Sequence, residues 1–337
     1  MIPVLTAFLV AGLGVWSFHL LNIPLPWLLG PIGACLLAAL AGIPLGGVKV
    51  LNNSMRTILG VAVGATLTPA VIASIPAMWP TLIMIPVMVF AIGALGVPYF
   101  TRICGYDSAT AYYSSMPGGL QDMLLFGEEA GGNVRTLSLV QATRVLVIVV
   151  ALPFLLRGMW DVDLGNPPGV PVATLPAHEI ALMIGCAFVG WRVAKVIGLV
   201  GAAILGPLIL SAAVTVAGLL ENRPPAEAIW LAQFFIGMTI GAKYAGITLN
   251  EVRRDITASF GYCLILIALT LVFVGVIHAL ALAPDMEALL AFAPGGQAEL
   301  TVLALIVGAD MAFVVSHHIV RIFAVILGAP LVRKFFA

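Results

Sequence analysis

The chain has 337 residues, of which 62% are hydrophobic and only 9% charged, where a soluble domain carries roughly a quarter. A mean hydropathy of +1.15 is too apolar for a water-soluble surface, and 15 basic against 15 acidic residues leave no net charge and no basic footprint for nucleic acid. The bilayer is the expected solvent, with room for roughly ten to twelve spans of ~20 residues.

Met1-Ile2-Pro3 carries no basic n-region, and no small-residue cleavage site follows the first apolar run. A retained first helix is expected. Apolar runs fall near 3–22, 26–43, 56–75, 80–103, 134–156, 179–197, 199–219, 229–249, 256–283 and 311–332. Two further helical stretches, near 108–130 and 288–307, are broken by Pro117-Gly118-Gly119 and by Pro294-Gly295-Gly296. Cys35, Cys104, Cys186 and Cys263 lie within or beside apolar runs and form no Cys-x-x-Cys pair, which points to packing and not to zinc or disulfides.

The two breaks head matching series. An offset of 177 brings Pro117 onto Pro294, Asp122 onto Glu299, Asn133 onto Asp310, Gln141 onto His318, Arg144 onto Arg321 and Pro153 onto Pro330 without a gap. The same offset brings Gly60 and Gly64 onto Gly237 and Gly241, and one residue less brings Leu29-Gly30-Pro31 onto Leu205-Gly206-Pro207. An ordered series across half the chain implies internal duplication. The repeats are expected at 1–160 and 177–337, joined by a Pro- and Gly-rich linker at 161–176.

Charge placement sets the expected topology. If each broken segment dips into the membrane and returns, each repeat has five spans. Lys49, Arg56, Arg102, Arg135, Arg192, Lys195, Arg253, Arg254, Arg333 and Lys334 then fall at cytoplasmic ends, and only Arg157 and Arg223 are clearly outside. Five is odd, so the second repeat starts from the opposite side. The expected fold class is an all-α polytopic membrane protein, an inverted repeat of two five-span halves, each with a Pro-Gly-Gly broken re-entrant helix. Both termini are expected in the cytoplasm.

Pro removes an N–H and paired Gly releases helix geometry. At membrane depth such a break is tolerated only against protein or a water-filled cavity, and the amides it frees attract anions. The candidate substrate- or ion-binding residues are therefore Pro117, Gly118, Gly119, Gln121, Asp122, Gln141 and Arg144 in the first repeat. Their counterparts in the second are Pro294, Gly295, Gly296, Glu299, Asp310, His318 and Arg321. Asp122 and Glu299, five residues after each Pro, could exchange protons, ligate Na⁺ or simply solvate the break. Each buried Arg needs a carboxylate, a backbone carbonyl or an anionic substrate. Gln141 beside Arg144 favours a structural pairing there, and the more polar stripe of Asp310 and His318 favours substrate contact for Arg321. Gly60-x-x-x-Gly64 and Gly237-x-x-x-Gly241 permit close helix contact. The Leu-Gly-Pro elements are expected to kink their helices. Lys243 could snorkel or line a cavity. Adjacent His317 and His318 diverge by about 100° on a helix and cannot readily share a metal. No Walker loop or Gly-x-Ser-x-Gly element occurs.

Pro26-Trp27-Leu28-Leu29-Gly30-Pro31, Met116-Pro117-Gly118-Gly119-Leu120-Gln121, and Ala293-Pro294-Gly295-Gly296 with trailing Glu299 and Arg321 together carry a family resemblance. Over nearly its whole length the chain resembles the bacterial AbrB-type membrane proteins with an internal AbrB duplication. That family looks like a distant relative of the cation–proton antiporter and anion transporter group. Some members bear the label ammonia monooxygenase, and the name is shared with an unrelated soluble transcriptional regulator. The expected function is secondary active transport of a small organic or amino-acid-like anion coupled to H⁺ or Na⁺, with no enzymatic role, cofactor or metal. The alternatives are a membrane-bound monooxygenase and a membrane regulatory protein that moves nothing. Expected partners are a small-molecule or ion substrate and the lipid bilayer, not nucleic acid, with a homo-oligomer left open.

Overall fold

Long apolar runs with few charges predict helices that shed one face to lipid and pack the other. The computed structural model describes residues 2–46, 49–162, 164, 167–199 and 201–332. Among the described residues every regular element is a helix.

In the first half of the chain these are α1 (Ile2–Leu20), α2 (Pro26–Leu40), α3 (Lys49–Gly64), the short α4 (Pro69–Ser74), α5 (Trp79–Pro98), α6 (Ser108–Ser115), α7 (Leu120–Glu129) and α8 (Val134–Trp160). Pro26 opens α2, where a missing N–H costs nothing. The third apolar run, expected at 56–75, is instead a helix from Lys49 that stops at Gly64. Pro69 forces Thr68 out of helical geometry and starts α4. A π turn over Tyr99–Ile103 extends α5. Asp107 caps α6 by accepting the Thr110 N–H at 2.9 Å.

The second half gives α9 (Ala177–Val196), α10 (Ala202–Val216), α11 (Ala226–Ala242), α12 (Leu249–Glu251), α13 (Thr257–Ala279), α14 (Asp285–Phe292), α15 (Gln297–Val307) and α16 (Met311–Val332). Thr248 and Glu251 form a capping box at α12, which a π turn joins to α13.

Among the described residues four helical stretches are long and apolar enough to cross a membrane: Ile2–Leu20, Val71–Ile103, Val134–Trp160 and Leu249–Ala279. The packed helices α2, α3, α10 and α11 have 15 to 17 residues, short of the ~20 that a straight crossing needs. The exterior is as apolar as the interior. On α1, Leu5, Leu9, Leu13, Trp16 and Leu20 form an exposed stripe, while Ala7, Ala11 and Gly14 are buried. Water would not tolerate such a stripe, and hydrocarbon solvates it at no cost.

The helices form two compact units, each drawing on both sequence halves. The first comprises Met1–Ile75, Pro153–Gly246 and Ala298–Ala312. Here α3 runs along α10 and α11 along α2. A Cβ on Gly60 would strike the Ile204 carbonyl, and one on Gly237 would strike the Leu28 carbonyl. Gly64 meets Leu208 and Ser211 of α10, and Gly241 meets Ile32 and Cys35 of α2. These are one contact made twice, because Leu28, Ile32 and Cys35 match Ile204, Leu208 and Ser211 at an offset of 176. The pattern is reciprocal, as in a self-complementary two-fold interface. The glycines therefore give close contact as expected. Gly30 and Gly206 lie against Gly14 of α1 and Gly190 of α9, so the Leu-Gly-Pro elements also serve close approach.

The second unit comprises Pro76–Leu152, Ile247–Gln297 and Phe313–Ala337. Its core includes Ile85, Met88, Phe100, Tyr262, Leu266, Phe292 and Phe313. Tyr262 packs between α5 and α6, where Gly96 leaves room for its ring.

Candidate functional site: two helix breaks locked by arginine

Both Pro-Gly-Gly elements break helices. Helix α6 ends at Ser115 and α7 begins at Leu120; α14 ends at Phe292 and α15 begins at Gln297. The residues before proline, Met116 and Ala293, have ψ of 130° and 125°, because the proline ring excludes the helical region from its predecessor. Pro117, Gly118, Pro294 and Gly295 are buried, and Gly119 and Gly296 are half-buried.

A helix that stops inside a protein leaves carbonyls without partners. Here side chains satisfy them. Arg144 donates through Nη1 to the Met116 carbonyl at 2.9 Å and through Nη2 to the Gly118 carbonyl at 3.1 Å. Arg321 donates through Nη1 to the Ala293 carbonyl and through Nη2 to the Gly295 carbonyl at 3.2 Å. Gln141 Nε2 donates to the Tyr113 carbonyl at 2.7 Å and the Met116 carbonyl at 3.2 Å. His318 Nε2 reaches the Leu290 carbonyl at 3.0 Å. The two arginine pairs and the Gln141–Tyr113 pair recur at the 177-residue offset, whereas the Gln141–Met116 bond has no counterpart described at His318. The two arginines are 1% and 3% exposed, and Gln141 and His318 are fully buried. Each terminal fork of Arg321 is thus spent on backbone, in the same geometry as that of Arg144. Tyr262, which the sequence did not single out, donates its hydroxyl to the Ser115 carbonyl.

Arg144 and Arg321 lie near enough to repel one another. The start of α7 follows the first break directly, and its N-cap, Gly119, has no side chain to cap it. Each break thereby gathers positive potential. Gln121 and Asp122 fall on the first turn of α7; their side chains lie outside the described residues. Glu299 is buried on the first turn of α15, and Lys243 lies within electrostatic reach of both Glu299 and Arg56. Asp310 is exposed and accepts the Ala312 N–H at 2.9 Å, a capping role that Asn133 shares by accepting the Thr136 N–H at 3.1 Å. These two residues cap helices.

A second polar cluster escaped the sequence reading. Asp255, 3% exposed, accepts from the Tyr106 hydroxyl at 2.8 Å and from Thr136 at 3.3 Å. Arg254 lies over the Tyr106 ring, and Arg135 pairs with Glu251. Burial, reinforced by the Asp255 carboxylate, pushes the Tyr106 hydroxyl far above the usual tyrosine range. The cue was a carboxylate beside Arg253-Arg254 at the edge of an apolar run. Among the described residues no three His, Cys, Asp or Glu side chains are grouped as metal ligands. An open apolar cleft of about 570 Å³ between α5 and α13, lined by Leu95, Tyr99, Ile265 and Val272, lacks the convergent polar groups of the breaks.

Two relatives align over almost the whole chain. A Bacillus subtilis (strain 168) protein named "Uncharacterized protein YhjN" is 26% identical, over 95% of this chain and 90% of that protein. An Escherichia coli (strain K12) protein named "Putative regulator AbrB" is 24% identical, over 97% of this chain and 93% of that protein. A family model described as AbrB, transition state regulatory protein AbrB, matches residues 27–337, a span that takes in both breaks and both arginines. The chain belongs to the AbrB family.

Proposed function

We propose that this protein is a secondary active transporter of the bacterial inner membrane, carrying a small organic or amino-acid-like anion coupled to H⁺ or Na⁺. The observation that carries the reading is the matched pair of breaks, each holding a buried guanidinium and followed by a helix start. Two such cations in one unit are costly in a low-dielectric surrounding unless an anion shares their field. With the terminal nitrogens spent on carbonyls, the arginines act on cargo by charge, and Arg321 also through Nε, not by a bidentate clamp.

The reading includes an inverted repeat of two five-span halves, with the breaks re-entrant and both termini cytoplasmic. Its support is the alternation of basic residues along the sequence and the reciprocal contacts of α3 with α10 and of α11 with α2. Glu299, with Lys243 nearby, and Asp122 are, with His318 and Arg321, among its candidate substrate- or ion-binding groups. The test is uptake of labelled carboxylates into proteoliposomes, preceded by a ligand-stabilisation screen, since a ligand that binds the native state raises apparent stability. A regulatory protein that moves nothing, the reading that the relatives' names suggest, would bind without uptake.

A further inference from the structure

The side chains that hold the two breaks differ at one position. Gln141 serves the first and His318 the second, each donating to the carbonyl 28 residues before it. An amide cannot take up a proton at any relevant pH, whereas an imidazole can. Because the partner of His318 is a carbonyl, Nε2 must carry the hydrogen, and Nδ1 is left as a lone pair. His318 Nδ1 has no hydrogen-bond partner among the described residues, and neither has Arg321 Nε, one turn further along α16. Both residues are at least nine-tenths buried, and His318 feels the charge of Arg321. An unfilled acceptor and an unfilled donor on one helix face call for an occupant that offers both functions.

Resting on the transport reading above, we infer that His318 and Arg321 together form a site for one carboxylate and one proton, so that the coupling ion is H⁺ and His318 Nδ1 is its carrier. One carboxylate oxygen accepts from Arg321 Nε–H. The proton, taken from the aqueous side, sits on Nδ1 and is donated to the second oxygen. No covalent bond changes. Among the described residues the groups that act on His318 are Arg321 and His317 on its own helix and the Leu290 carbonyl from α14, and Arg144 of α8 acts in turn on Arg321. A second proton on the ring would place two cations together in a buried place, and the carboxylate is what offsets them. Proton and anion therefore assist one another's binding by the same factor.

His318→Gln is the informative variant, because Gln141 already holds the equivalent carbonyl in the first repeat. Nitrogen-15 spectra of histidine-labelled full-length protein in lipid nanodiscs, with that variant assigning the signal, should show His318 as the Nε2–H form at neutral pH. Succinate or L-glutamate should raise the pH at which Nδ1 gains its proton. A His318 signal that neither anion moves, at any pH where the protein stays folded, overturns the site and leaves buried water as the partner. In proteoliposomes carrying an internal pH dye, wild type should acidify the lumen as labelled succinate or glutamate enters, and His318→Gln should lose that proton movement. Proton movement that persists in His318→Gln overturns His318 as carrier while the transport reading stands. If wild type moves neither anion, transport of these two anions fails, and the nitrogen-15 titration alone decides the site.

Discussion

Replacing Arg321 separates a structural lock from a substrate clamp. Its two terminal nitrogens satisfy the Ala293 and Gly295 carbonyls, and no other donor to either is described. Arg321→Lys keeps the charge but offers one ammonium where a planar fork stood, so one charge-assisted bond is lost, about 1.5–3 kcal/mol. Arg321→Met removes both donors and leaves two buried carbonyls unpaired at about 1–3 kcal/mol each. The expected order of ligand-free stability is wild type, then Lys, then Met. With roughly 2 °C per kcal/mol for a chain of this length, Met should melt several degrees below wild type. Cys35, Cys186 and Cys263 are free and buried, so a thiol-reactive dye followed on heating reports unfolding in detergent directly. Ligand-free Met and Lys variants that melt with wild type, while carboxylate binding weakens tenfold, would refute the lock and restore the clamp.

Gly60→Ala and Gly237→Ala should each cost about 1–3 kcal/mol, and by similar amounts, because each Cβ would meet backbone of the partner helix; Gly12→Ala and Gly275→Ala, with open space around them, should be neutral in the same melts. Asp255→Ala should destabilise by about 1–3 kcal/mol by orphaning the Tyr106 hydroxyl, whereas Asp255→Asn, which still accepts, should lose less. Burial works to raise the Asp107 carboxyl, but hydrogen bonds from Thr110 hold it below its usual value; a depressed carboxyl stabilises above its unfolded pKa of about 4. That contribution should fade as pH falls through the lower folded value, and Asp107→Ser should flatten this acid limb of stability. Cysteines placed at Arg157 and at Arg253 should label from opposite sides of the membrane, and labelling from one side would sink the inverted repeat.

The sequence made the helices legible because long unbroken apolar runs suit a helix, which satisfies its backbone hydrogen bonds within one segment as an apolar solvent demands. The breaks were legible for the same reason, since Pro-Gly-Gly admits no continuous helix. What it could not supply was partnership. Gly60-x-x-x-Gly64 announces close contact without saying with what, and the answer, α10 from the other repeat, is a long-range fact. Lys49 to Ser54 lack an apolar stripe, so the first turns of α3 went unread. Tyr262 sits in a run where every neighbour is apolar, and only the fold reveals that its hydroxyl meets the Ser115 carbonyl.

The arginines show how a residue type can be read correctly and its partner left open. A buried guanidinium must be paired, and carboxylate, carbonyl and cargo all qualify. The choice among them follows from the breaks themselves. A helix end creates unpaired carbonyls at fixed spacing, two of which fall where one planar fork can reach both. Once the forks are so employed, duplication explains why the arginines match, and the departure from duplication becomes the informative signal. Gln141 and His318 both hold the matching carbonyl, Gln141 reaching the Met116 carbonyl as well, and that shared bond gives no reason for them to differ. The difference that remains is the capacity to hold a proton, and it lies one turn from a buried cation.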